Sequence, residues 1–179
     1  MTYIRDNLNA RIMKNFVLYF LCCLLIAGIS YEHVCAQQKS SIDDNRKIAS
    51  LWIQAINRHD TTAISLFYDD HIQLESPNWE GTKTGKSELT DTYRRYFLST
   101  PDLRYEVSNV IATDSALVIE YRSYGTLLNP EQNTPAYMKG KPYTLQNCTR
   151  MDIRNGKIIK QATYFDQVAF LRQMGFFER

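Results

Sequence analysis

Cysteine is scarce where it would matter. The chain has 4, and Cys22, Cys23 and Cys35 fall within the first 36 residues, so Cys148 stands alone in the remainder. That excludes an intrachain disulfide beyond residue 36. There are only 3 histidines, and His59 and His71 have no metal-like spacing to each other or to a cysteine. No metal and no cofactor are expected. An excess of one charge is also lacking. Three of the 21 basic and two of the 19 acidic residues precede residue 37, leaving 18 against 17 and a net charge of +1. That balance gives no electrostatic footprint for nucleic acid. No basic run, repeat period or phosphate-cradling glycine motif is present.

The one long apolar run is "FVLYFLCCLLIAGIS", preceded by Arg11 and Lys14. It is shorter than the roughly 20 residues a membrane span needs and suits a signal peptide. "VCAQ" follows, with Val34 and Ala36 at the small-residue positions of a cleavage site. The reading is therefore a signal peptide over 1–36, a polar leader over 37–44 and a single domain over 45–179. The product would be secreted or periplasmic, with no stable membrane association. An uncleaved anchor is the alternative.

Within the domain, Ile48, Leu51, Trp52, Ala55 and Ile56 predict a helix with one buried face. "NRHD" ends it, and Asp60 caps a short second helix. "HIQLES" reads as a brief strand. Leu89, Tyr93, Tyr96 and Phe97 share a face of a third helix. Two alternating strands follow, one around Leu103, Tyr105 and Val107 and one around Leu117, Ile119 and Tyr121. After a loop rich in breakers comes the clearest hairpin signal, Asn155-Gly156. "QVAFLRQMGF" closes the chain as a short helix. Helices first and a meander afterwards argue for an α+β fold: a curved, mostly antiparallel sheet with about three helices on its concave face.

A two-residue turn at Asn155-Gly156 pairs Arg154 with Lys157, and an unbroken register then places Leu145 opposite Asp166. In that register Leu145, Asn147, Thr149, Ala162, Tyr164 and Asp166 all point inward. An inward carboxylate in an apolar pocket is placed for proton transfer. The other reading of Asp166 is the N-cap of the terminal helix.

"FYDDHIQLESP", "GKSELTDTYRRYFLSTPDLRYEV", "KGKPYTL" and "NGKIIKQATYFDQVAFLRQMG" together resemble the SnoaL-like polyketide cyclases, within the nuclear-transport-factor-2-like (cystatin-like) superfamily of cone-shaped folds. The resemblance spans nearly the whole domain. It implies a small apolar carbonyl compound held in the cone, with Asp166 as acid/base in isomerase, cyclase or dehydratase chemistry and Tyr164 or Asn147 steadying an oxyanion. A non-catalytic ligand-binding or assembly module is the alternative. Trp52, Trp79, Tyr93, Phe97, Tyr121, Leu145, Thr149 and Ala162 are the expected ligand-binding residues. A homodimer is expected through the outer sheet face, where Val118, Arg122 and Tyr124 would lie with Thr163 and Phe165.

Overall fold

The computed structural model describes residues 41–178. The expected signal peptide, its cleavage point and the start of the leader lie outside the described residues. Residues 41–44, assigned to the leader above, are helical. Among the described residues no helix is long and apolar enough to cross a membrane.

Helix α1 covers residues 41–57. Asn45, Ala49, Trp52, Ile53 and Ile56 recur three and four apart and are buried, as one helical face requires. Leu51, expected on that face, is 39% exposed, and Ile53 takes its place. The chain leaves α1 through His59, whose φ of 55° no helix accommodates. Helix α2 is Thr61–Ser65, capped by Asp60, which accepts from the Ala63 N–H at 2.8 Å. Strand β1 (Tyr68–Glu75) and the two-residue β2 (Lys83–Thr84) lead to α3 (Lys86–Ser99). Strands β3 (Arg104–Ala112), β4 (Ala116–Thr126), β5 (Pro142–Arg154) and β6 (Lys157–Phe165) form the meander, and α4 (Gln167–Gln173) follows it.

The six strands lie in the order β2-β1-β6-β5-β4-β3. Every neighbouring pair is antiparallel except β1 with β6, which is parallel. The sheet is therefore mixed. The long route from β1 to β6 through the rest of the domain leaves room for a parallel pairing that no hairpin permits. Residues from α1, α2 and α3 share one core with the inner face of the sheet, including Trp52, Ile64, Leu89, Ile119 and Met151. On the open edge at β3, Asn57 grips one residue from both sides: its Oδ1 accepts from Tyr105 N at 2.7 Å and its Nδ2 donates to Tyr105 O at 2.9 Å. This fixes Tyr105 and blunts the edge against further pairing.

The turn forms as its sequence requires, with Asn155 at φ 53° and Gly156 at φ 69°. Arg154 pairs with Lys157 and Ile153 with Ile158, as expected, but Asp152 pairs with Lys160. Ile159 is an extra residue, a bulge that inverts the alternation for the rest of β6. The pairs beyond it are Arg150 with Ala162, Cys148 with Tyr164 and Asn147 with Phe165. The inward residues of β6 are thus Gln161, Thr163 and Phe165. The orientations expected for Ala162, Tyr164, Asp166, Thr163 and Phe165 are corrected together. Strand β5 has no such slip, so Leu145, Asn147 and Thr149 keep the inward direction the alternation gave them.

Candidate functional site

Each strand of the meander changes character along its length. Near the hairpin turn the inward residues are Leu117, Ile119, Met151, Ile153 and Ile158. Away from it they become Tyr121, Ser123, Asn147, Gln161 and Thr163, and here the sheet stands off from the helices. The result is a cavity of about 410 Å³. Helix α3 supplies Tyr93 and Tyr96, and β3 supplies Tyr105.

Two loops and α4 complete the mouth. Trp79 stands on the β1–β2 loop, with the Lys83 ammonium 4.8 Å from its ring centroid. Its buried indole N–H has no acceptor among the described residues. The long loop after β4 is tied shut by Gly140 N to Leu127 O at 2.8 Å, and pinned to the end of α3 by Asn129 N to Ser99 O at 3.1 Å. Helix α4 contributes Phe170, packed edge-on against Tyr143 at 5.5 Å. Gln173 anchors that helix by bonding both Thr144 N, at 2.8 Å, and Thr144 O, at 3.0 Å.

The expected site residues divide into three groups. Trp79, Tyr93, Tyr121, Leu145 and Asn147 line the cavity. Trp52, Phe97 and Thr149 lie behind its wall. Trp52 is wholly buried against Tyr105 and Tyr121, Phe97 stacks on His59 at 4.4 Å, and Thr149 supports Tyr121 from beneath. Ala162, Tyr164 and Asp166 are on the other side of the strand. Asp166 is exposed and is the N-cap of α4, accepting from Ala169 N at 2.9 Å. Tyr164 is 56% exposed on the outer face. Gln161, Thr163, Phe165 and Ser123 line the cavity without having been expected there. The β6 trio was hidden by the bulge. Ser123 was legible, two positions beyond Tyr121 on the same alternating strand.

The lining is neutral except for two carboxylates. Among the described lining residues there is no aspartate, histidine, lysine or arginine. Glu75 turns to the outer face, where Lys160 at 2.8 Å holds its carboxyl below the usual range. Glu131 lies 3.9 Å from Arg95 at the surface. The remaining polar groups are hydroxyls, amides and the Trp79 indole N–H. Burial raises the Tyr68 and Tyr93 hydroxyls far above their ordinary values. It pushes Tyr121 up to about 12, against the opposing effect of the Thr149 and Tyr105 hydroxyls. At neutral pH all three are hydrogen-bonding phenols and none is a base. Cys148 is on the outer face, its thiol raised by burial and by Glu120.

Residues 46–174 match the family described as SnoaL-like polyketide cyclase. Comparison with curated proteins gives no match. Solved structures of the same fold include a SnoaL-like polyketide cyclase from Agrobacterium tumefaciens, at 22% identity and TM-score 0.62, covering 73% of this chain and 97% of that one. A protein of ketosteroid isomerase-like fold from Catenulispora acidiphila is similar at 16% identity and TM-score 0.59, covering 72% and 92%. TsrD from Streptomyces laurentii is similar at 16% identity and TM-score 0.64, covering 74% and 96%. At such identities the structures establish the fold.

Proposed function

This chain belongs to the SnoaL-like polyketide cyclase family, and from that premise we propose that its domain binds a small, apolar, carbonyl-bearing molecule inside the cavity. The observation that carries this reading is the lining itself. Aromatic and aliphatic walls enclose about 410 Å³, within the range of small-molecule sites, and apart from the outward-turned Glu75 and the surface Glu131 the polar groups among them are neutral donors and acceptors. A charged ligand would lose its hydration there without a partner of opposite sign inside.

Non-catalytic binding is favoured over Asp-mediated isomerase, cyclase or dehydratase chemistry. Its support is the position of Asp166, whose carboxylate caps α4 outside the cavity and is engaged by Ala169 N. We also propose an exported homodimer. The apolar run before "VCAQ" supports export, and exposed Tyr164, set beside Cys148 on the outer sheet face, supports pairing there. Amino-terminal sequencing of protein from its native host, and light scattering of the wild type against Tyr164→Arg, test those two points. An intact Met1 or Met13, or a wild-type monomer at high concentration, rejects them.

The test of binding is a thermal-shift screen of neutral aromatic ketones, carboxylic acids and amines. Ketones are expected to stabilise the protein in proportion to their affinity, and Leu145→Trp, which fills the cavity, is expected to abolish the effect. Stabilisation by charged compounds alone, or an unchanged response in the filled variant, defeats the reading.

A further inference from the structure

The polar groups of the cavity wall have more hydrogens than they can use among themselves. The wholly buried Tyr68 donates to Gln161 Oε1. Its proton is directed there because an amide oxygen can only accept. With its oxygen so occupied, Gln161 turns its amide nitrogen to Thr163 Oγ1 at 3.3 Å. Thr163 and Thr149 are linked at 2.9 Å, and Thr149 and Tyr121 at 3.1 Å.

Between these three hydroxyls there are two links, and each consumes one hydroxyl hydrogen. Gln161 uses its own hydrogen to reach Thr163. One of the three hydroxyl hydrogens is therefore left over. It cannot stay on Thr149, which is fully buried off the cavity and meets no other side-chain acceptor among the described residues. On the hydrogen bonds of the described residues it sits at an end of the chain, on Tyr121 or on Thr163, and both line the cavity.

We infer that this wall donates one hydrogen bond to an acceptor oxygen of the bound molecule, through a hydrogen that either Tyr121 or Thr163 can present, with Gln161 and Thr149 as positioning residues. The inference rests on the binding reading above and sharpens it. The ligand carries an unprotonated oxygen, of the ketone or quinone class, against this wall. It also has an unusual consequence. Without the Tyr121 hydroxyl, Thr163 presents the surplus hydrogen. Without the Thr163 hydroxyl, Tyr121 does. With both gone, only buried Thr149 retains one.

The probes are 9-fluorenone and fluorene, which share a rigid apolar skeleton and differ in the carbonyl. Equilibrium dialysis of both against wild type, Tyr121→Phe, Thr163→Val and the double variant gives four affinity ratios. Each ratio cancels any loss of fit common to the two compounds. Wild type is expected to prefer fluorenone by about threefold to tenfold, the worth of one neutral hydrogen bond. Each single variant is expected to keep most of that preference and the double variant to lose it, a strongly non-additive cycle. The infrared carbonyl stretch of fluorenone bound to wild type, lowered relative to its value in hexane, reports the same bond if the double variant does not fold.

Equal affinities and an unshifted stretch in wild type overturn the inference and leave the binding reading standing. Loss of the preference in either single variant overturns the shared hydrogen in favour of a fixed donor. A preference that survives in the double variant overturns it as well. If neither compound binds wild type, the binding reading fails and this inference with it.

Discussion

The inward faces of β4, β5 and β6 divide at Thr149. On the hairpin side, Leu117, Ile119, Met151 and Ile158 are wholly buried and fill space against the helices. On the other side Tyr121, Ser123, Asn147, Gln161 and Thr163 each bond to a neighbour and face the cavity. The two halves share the same strands but differ in energetics. Burying an aliphatic side chain contributes about 1.5–3 kcal/mol. A hydrogen bond that replaces one to water contributes only about 1 kcal/mol net. The closed half stabilises the fold, and the open half gives up part of that contribution for a surface a ligand can use.

The largest test of this division lies in the closed half. Met151→Ala removes a fully buried side chain and is expected to cost about 2–5 kcal/mol in denaturant unfolding. The affinity ratio of fluorenone to fluorene is expected to stay the same, since Met151 does not line the cavity. A stability loss below about 1 kcal/mol would mean that the closed half is not the source of stability.

The open half has its own tight point. Gly125 is buried on β4, where an added methyl would collide with Thr100 Cγ2 and press on the Tyr143 ring at 3.2 Å. Gly125→Ala is expected to cost about 1–3 kcal/mol through overpacking. It also displaces Tyr143, so ligand affinity falls together with stability. A fall in stability alone would separate Gly125 from the cavity.

Asp166→Ala tests a residue that belongs to neither half. Losing an N-cap costs about 1 kcal/mol, and fluorenone affinity is expected to be retained, because the carboxylate lies outside the cavity. A variant of full stability that no longer binds would return Asp166 to the site.

That residue also marks where the sequence stops being legible. Alternation is local, so it placed Leu117, Ile119 and Tyr121 of β4 and Leu145, Asn147 and Thr149 of β5, and turn chemistry placed Asn155-Gly156. Strand β6 failed after Ile158 because Ile-Ile-Lys carries no glycine or other mark of a bulge, and one extra residue reverses all that follow. The shift exchanged an expected inward trio of Ala162, Tyr164 and Asp166 for Gln161, Thr163 and Phe165. Trp52 and Phe97 failed for a different reason. Helical spacing shows which face is buried but cannot separate residues behind the wall from residues in it.

The smallest expected effect concerns acid. Asp102 precedes β3, and its carboxylate accepts from Thr126 N and Thr126 Oγ1, both at 2.7 Å, at the open end of β4. Partial burial would raise its pKa, but the two bonds from Thr126 prevail and hold it below the usual carboxylate value. A depressed folded pKa means that the ionised form is favoured by folding. Its contribution is complete above the unfolded value of about 3.9 and disappears as pH falls through the folded one. Asp102→Asn removes that titration. The difference in Tm between wild type and variant is therefore expected to be constant from neutral pH down to about pH 5, and to shrink steadily below about pH 4. Met151→Ala, which loses no titrating group, is expected to keep its Tm deficit over the same acid range. A deficit for Asp102→Asn that stays flat into strong acid would show that the Thr126 bonds do not depend on the charge, and that the open end is held by the geometry of the turn alone.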